Sequence, residues 1–120
     1  MAGFEARNFD VPDETRSPER TTVETVTVGG AKVGRATFQP GWRWSECIKP
    51  VVGTDDCRAH HLGVLLSGVI HVAHADGSEG DINPGDVYSI EPGHDAWVVG
   101  DDVAVGVEFD ATTVGTYGKG

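Results

Sequence analysis

Long hydrophobic runs are absent from this chain of 120 residues, whose longest unbroken apolar stretch is the four residues Ala96–Val99. A helix that crosses a bilayer needs about 20 apolar residues, so we expect no membrane-spanning segment and no membrane partner. The first ten residues, MAGFEARNFD, also lack the basic stretch and apolar run of a secretory signal. We therefore expect a cytoplasmic protein.

Basic residues are scarce, with nine Lys and Arg against 19 Asp and Glu and a net charge of −10. An acidic field of this size opposes binding to phosphate backbones, so nucleic acid is excluded as a partner. Cysteine is scarce too, and in a reducing compartment we expect Cys47 and Cys57 to be thiols or metal ligands rather than a disulfide. The length leaves room for one domain with a core of its own.

Helical periodicity is missing, because no window of ten or more residues carries an apolar stripe with helical spacing. Instead, alternating segments such as TTVETVTV, AKVGRATF and VAVGVEF are separated by turn-forming pairs such as Gly29-Gly30 and Pro84-Gly85. This pattern predicts an all-β domain of antiparallel strands in two sheets, with at most one short helical turn. We assign residues 1–20 to an extended N-terminal arm, 21–112 to the β domain and 113–120 to a flexible tail.

The stretch from residue 37 to residue 56 breaks the pattern and gathers two tryptophans, a cysteine, a glutamate and two prolines. Trp42 and Trp44 are two residues apart, so in an extended strand they share a face. Two interpretations are open: the pair plugs one end of a barrel, or it forms an apolar wall for a small ligand. Cys47 lies on the same stretch, and we expect it to pack rather than to join a site.

Two later segments carry an ordered set of features. The first is HLGVLLSG, closed by Gly68, and the second is PGDVYSIEPGHDAW, opened by Gly85 and turned by Glu91-Pro92-Gly93. From about residue 30 to about residue 110 the chain resembles the cupin superfamily, and in particular its small single-domain bacterial members. The resemblance implies a double-stranded β-helix, which is a jelly-roll barrel, and it implies no particular reaction.

The resemblance also implies where metal ligands fall. Counting back from Gly68 places His61 at the family's glutamate position, with Cys57 and Asp55 where two motif histidines stand. The family's last histidine is missing here, and His94, two residues earlier with the same strand parity, can take its place. The implied set is thus Asp55, Cys57, His61 and His94 in place of three histidines and a glutamate.

The residues themselves also allow a metal site. In a strand from residue 57 to residue 66, odd and even side chains occupy opposite faces, so one of His60 and His61 points inward. The pattern leaves that choice open, and the count from Gly68 favours His61. Cys57 shares the face of His61, and His94 from another strand completes a sulfur and two nitrogens for Zn²⁺, Fe²⁺, Ni²⁺ or Cu²⁺. The alternative is that the cysteine fills space and the histidines are hydrogen-bonded in a small cavity.

We expect a small-molecule pocket around this set, formed by Trp44, Asp55, His60, Tyr88 and Trp97, with His71 and His74 facing solvent. The predicted function is binding of a small organic molecule in the barrel through one divalent metal ion, either zinc, iron or nickel. The alternative is a metal-free ligand-binding or sensing module, and whether the protein is an enzyme is left open. We also expect a homodimer in which the N-terminal arm adds a strand to the neighbour's sheet edge.

Overall fold

The computed structural model describes residues 3–55, 57 and 60–109, which form mainly β-strands. In chain order the elements are β1 (Glu14–Arg16), β2 (Thr21–Val28), β3 (Ala31–Phe38), α1 (Trp44–Cys47), α2 (Lys49–Val52), β4 (His61–Ser67), β5 (Ile70–His74), β6 (Glu79–Ile82), β7 (Val87–Ile90), β8 (His94–Val98) and β9 (Ala104–Phe109). One sheet has the strand order β1-β2-β3-β9-β4-β7, and the other has the order β6-β5-β8. Their strands pair antiparallel. The prediction of an all-β fold with two antiparallel sheets is confirmed.

The irregular stretch contains two helices of four residues each, α1 and α2, so the prediction of at most one helical turn is wrong. Pro50 lies in the first turn of α2, where its fixed φ suits a helix, and Gly53 ends that helix with a φ of 78°. Elements this short carry too little periodicity for a sequence pattern to detect. Within the described residues, no helix has the length and the apolar character needed to cross a membrane.

The buried apolar cluster draws its residues from both sheets and from α1, and Val52 of α2 packs against it. Along β8 and β9 alternate residues are buried, as the alternation of these segments predicts. Phe38 packs against Trp42 with ring centroids 4.2 Å apart, and Trp44 is fully buried. Because Trp44 starts α1, the two tryptophans do not lie on one strand. The rule that alternate residues of a strand share a face therefore does not explain their burial.

The N-terminal segment adds a strand to its own sheet, since β1 pairs with β2 of the same chain and forms an edge. Arg35 holds the residues before β1, because its guanidinium hydrogen-bonds to Asp10 at 3.0 Å and to Glu24 at 2.8 Å and lies over the Phe9 ring. The homodimer and the boundaries of arm and domain stay predictions. The tail at 113–120 lies outside the described residues.

Candidate metal centre

Strand β4 positions the first candidate ligand. Its odd-numbered residues from 61 to 65 are buried, while its even-numbered residues face outward. His61 is 2% exposed. His60 lies on the surface, where its Nε2 is 3.3 Å from Oγ of Ser89. His61 is therefore the inward member of the adjacent pair.

Cys57 and His94 are brought together by backbone pairing. The Cys57 N–H donates to the His94 carbonyl at 2.8 Å, and the Gly93 N–H donates to the Cys57 carbonyl at 2.6 Å. Gly93 has a φ of 98°, a left-handed conformation that favours glycine and that turns the chain into β8. Both side chains are buried as a result.

Cys57, His61 and His94 each offer a ligand atom, and these three atoms lie within 4.8 Å of one another. The Sγ of Cys57 is 3.4 Å from Nε2 of His61, and the two imidazole rings meet edge to face at 4.9 Å. A cavity of about 20 Å³ lies against both histidines, which is room for one water molecule or one ion. The set of one sulfur and two nitrogens fits a divalent transition metal such as zinc.

A second set of polar groups orients both imidazoles. Nδ1 of His94 lies 2.8 Å from the Glu91 carbonyl, which only accepts, so Nδ1 donates and Nε2 keeps its lone pair. Nδ1 of His61 lies 2.8 Å from a carboxylate oxygen of Glu108, whose other oxygen accepts from the Tyr88 hydroxyl at 2.8 Å. Metal-binding histidines are held in this way, with one nitrogen anchored and the other available.

Glu108 is the functional residue that sequence reasoning missed. It is 6% exposed and lies on the buried face of β9 with Ala104 and Gly106. A carboxylate on an otherwise small and apolar strand face must find partners, because an unpaired buried charge is costly. The sequence signal that could have identified Glu108 is a charge at an alternate position of VAVGVEF, on the same face as Ala104 and Gly106.

Two glycines make room for the Tyr88 hydroxyl. A Cβ atom at Gly63 would lie 2.9 Å from Tyr88 Oη and would also contact the Val107 carbonyl, and one at Gly106 would lie 3.2 Å from the same hydroxyl. The hydroxyl therefore reaches Glu108 only because both neighbouring strands lack a side chain at these points.

The buried network shifts the pKa values of its members. Burial raises the pKa of the Cys57 thiol, but hydrogen bonds with His61 and His94 outweigh burial, and the pKa falls to about 6. Burial likewise lowers the pKa of His61, yet the charge of Glu108 and the contact with Cys57 outweigh it and raise the pKa to about 9. Burial, then the charge of Glu108, raises the pKa of Tyr88 far above its ordinary value. Both shifts favour the thiolate form of Cys57 and the protonated form of His61.

We expect the ultraviolet absorbance of the Cys57 thiolate in metal-free protein to appear with a midpoint near pH 6, rather than near the ordinary thiol value of 9.0. Because the folded pKa is the lower one, the thiolate stabilises the fold fully above about pH 9, and this contribution is lost as the pH falls through about 6. Cys57→Ala should remove the transition and Cys47→Ala should keep it. A midpoint above pH 8 would contradict the described contacts.

Of the five residues predicted to form the pocket, only Tyr88 lines the small cavity. Trp44 is enclosed in the core, and the Asp55 side chain lies on the surface 3.8 Å from Lys49. Trp97 is held on the outer face of β8, between the Arg43 guanidinium at 4.1 Å and the His71 ring at 4.8 Å. His60 and Trp97 point outward and Trp44 starts α1, so these three side chains do not line the small cavity.

The remaining cysteine and histidines lie apart from the candidate centre. Cys47 is buried with its Sγ 3.6 Å from a Glu19 carboxylate oxygen, so it packs as expected. His71 and His74 are half-buried rather than solvent-facing. His71 bonds to Asp81 at 2.7 Å, and His74 bonds to the carbonyl of Pro92 at 3.0 Å.

A larger groove of about 360 Å³ is lined by residues of β5, β6 and β7. It shares Ile82, Tyr88 and Ile90 with the small cavity, so these side chains form a common wall. The groove has the volume of a small-molecule site, whereas the cavity at the ligands does not.

Solved structures with the same architecture share little sequence with this chain. A protein of unknown function from Rhizobium leguminosarum aligns with a TM-score of 0.64 and 15% identity over 90% of this chain and 96% of its own. A sugar phosphate isomerase of the cupin superfamily from Silicibacter pomeroyi gives 0.62 and 16% over 88% and 74%. The oxalate decarboxylase of Lactobacillus farciminis, solved as a formate complex, gives 0.60 and 17% over 90% of this chain and 33% of its own.

The last of these alignments means that the chain spans about a third of the oxalate decarboxylase. No protein-family model matches the sequence, and no curated protein matches it. The structural likeness establishes the cupin fold, so the jelly-roll architecture that the resemblance implied is confirmed.

Proposed function

We propose that this cupin-fold protein binds a small organic molecule in its barrel through a single divalent transition-metal ion held by Cys57, His61 and His94. The observation that carries the proposal is the buried set of three ligand atoms within 4.8 Å. A bound zinc, iron or nickel ion would supply a Lewis acid that polarises the molecule it contacts.

The chain's own residues prepare the centre for an ion. Glu108 and Tyr88 fix the orientation of His61, and the Glu91 carbonyl fixes that of His94. The pKa of Cys57 favours the thiolate that a metal requires, whereas His61 must release a proton for its Nε2 to bind. Affinity for metal should therefore fall as the solution becomes more acidic.

The alternative is a metal-free ligand-binding or sensing module, and one contact favours it. The Cys57 Sγ and His61 Nε2 lie 3.4 Å apart and satisfy each other without an ion. In that case the ligand would occupy the groove beside β6 and β7, and the buried network would only stabilise the barrel. The homodimer and the cytoplasmic location stay predictions under either function.

Metal analysis separates the two functions. Protein purified without a nickel column, loaded with zinc and then dialysed against metal-free buffer is expected to retain one ion per chain, since the site offers three ligands and both histidines are held by hydrogen bonds. Cys47→Ala should retain the ion and Cys57→Ala should lose it. Protein that holds no stoichiometric zinc, iron or nickel after dialysis would leave the metal-free module as the function.

A further inference from the structure

The outward side of strands β4, β7 and β9 forms an apolar face on the six-stranded sheet. Along each strand these residues alternate with those that point into the barrel, and all but Ser89 are apolar. Register places Val64 beside Val87 on one side and beside Val107 on the other, so the side chains form one continuous surface. The apolar members of this face are Leu62, Val64, Leu66, Val87, Val105, Val107 and Phe109.

The apolar face is exposed and uncharged. Leu62, Leu66, Val87 and Phe109 are exposed, and Val87 reaches 76%. The outward-facing residues of these three strands, all within the described part of the chain, include no acidic or basic side chain. Exposed apolar patches of this kind mark sites of association.

The rest of the same sheet face is covered by the chain itself. On β3, Arg35 faces outward and contacts Asp10 and the Phe9 ring, so the residues before β1 lie across this part of the sheet. Val26 of β2, on the same side, is 4% exposed. The N-terminal segment therefore covers the outward side of β2 and β3 and leaves that of β9, β4 and β7 open.

The apolar face has the size of the core of a dimer interface. Three strands about 4.8 Å apart and about 20 Å long give a flat area of about 300 Å². Enlarged on every side by one strand spacing, the footprint becomes about 700 Å². A specific interface buries about 800 Å² per partner, as an apolar core inside a polar rim.

The charge of the chain favours a second copy as the occupant. Each chain carries a net charge of −10, so two copies can associate only where their acidic groups are kept apart. The uncharged apolar face is such a place, and a two-fold rotation brings the same residues together from both copies. A basic partner would instead be drawn to the carboxylates elsewhere on the surface.

We infer that the apolar face is the interface of a homodimer, in which the outward sides of β4, β7 and β9 of two copies pack against each other. The inference goes beyond the proposed function and holds with or without a metal ion. The N-terminal arm need not reach the neighbour in this dimer, because β1 pairs with β2 of its own chain.

Two lysine substitutions test the interface. Leu66→Lys and Val87→Lys each place a charge on the apolar face, at side chains that are exposed and should therefore not disturb the fold of the chain. Val11→Lys is the matched control, because Val11 lies on the N-terminal arm and is 71% exposed. Sedimentation equilibrium of the full chain measures the dissociation constant of the dimer, and circular dichroism checks the fold of each variant.

The parent is expected to be a dimer at about 10 µM. Because symmetry places each lysine in the interface twice, Leu66→Lys and Val87→Lys should each weaken the dimer by at least about tenfold. Val11→Lys should change the dissociation constant by less than about threefold, since it lies outside the core of the interface.

The dependence on salt is a test that needs no variant. Rising salt screens the repulsion between two acidic chains, so a dimer held by apolar contact should keep its affinity or gain it. A dimer held by ion pairs would weaken over the same range. This measurement decides even if a lysine variant does not fold.

Four results would overturn the inference. They are a parent that stays monomeric at about 100 µM, a dimer that both face variants leave intact, a dimer that rising salt weakens, and loss of the dimer in Val11→Lys alone. The last result would assign the interface to the arm. None of them bears on the candidate metal centre, whose ligands are buried, so zinc retention tests that centre separately.

Discussion

His61→Ala is expected to abolish stoichiometric metal binding, whereas His60→Ala should leave one ion per chain. His61 is enclosed beside Cys57 and His94, while His60 lies on the opposite face of the strand and contacts Ser89. Loss of a direct ligand should weaken metal binding by more than the loss of a residue that only hydrogen-bonds to a ligand, which costs about 10- to 100-fold in affinity. Metal content after dialysis and the affinity for Co²⁺ measure the effect.

The contrast between these neighbours controls for general damage. Both variants remove an imidazole from the same strand end, and thermal unfolding of each shows whether the fold persists. His61→Ala also takes a hydrogen-bond partner from buried Glu108, so some loss of stability is expected. Equal metal content in a folded His61→Ala variant and in the parent would refute the ligand assignment.

Gly63→Ala is expected to destabilise the protein by about 2 kcal/mol or more and to weaken metal binding by about 10- to 100-fold. The added methyl group would press on the Val107 carbonyl, on the Glu108 side chain and on the Tyr88 hydroxyl. The Val107 carbonyl is part of the backbone and cannot move aside as a flexible side chain can. The clash therefore destabilises the pairing of β4 with β9. Chemical denaturation and Co²⁺ titration measure the two effects.

Gly80→Ala is the matched control for this prediction. Gly80 also lies in a strand, β6, and a Cβ atom there meets nothing within 4 Å. Its replacement should change the free energy of unfolding by no more than about 0.5 kcal/mol and leave metal binding intact. If the two variants behave alike, close packing at Gly63 does not hold Glu108 and Tyr88 in place.

The parts of the fold that sequence predicts are those that local rules determine. Strand alternation and turn glycines predict the antiparallel sheets, whereas the choice of His61 over His60 depends on the count back from Gly68 that the family resemblance supplies. Gly68 has a φ of 74°, and a Cβ there would lie 2.6 Å from backbone of β9. Because only glycine fits, Gly68 is a dependable marker of where β4 ends.

The parts that escaped prediction depend on contacts between distant segments. Glu108 meets His61 and Tyr88 because β9 and β7 both pair with β4, and no local pattern reveals that pairing. Spacing in a family motif predicts Asp55 as a ligand, yet its side chain is exposed and lies 3.8 Å from the Lys49 ammonium. Trp97 follows strand parity, but parity alone does not say which face of β8 is the outer one.

The positions of the candidate ligands also have a mechanical consequence. His61 begins a strand of the six-stranded sheet, and His94 begins a strand of the three-stranded sheet. If the proposed ion is bound, it cross-links the two sheets at one end of the barrel. Parting the sheets would then require breaking metal–ligand bonds, so the ion would slow opening as well as favour the closed form. The lifetime of the folded chain would accordingly depend on the supply of metal where the protein works.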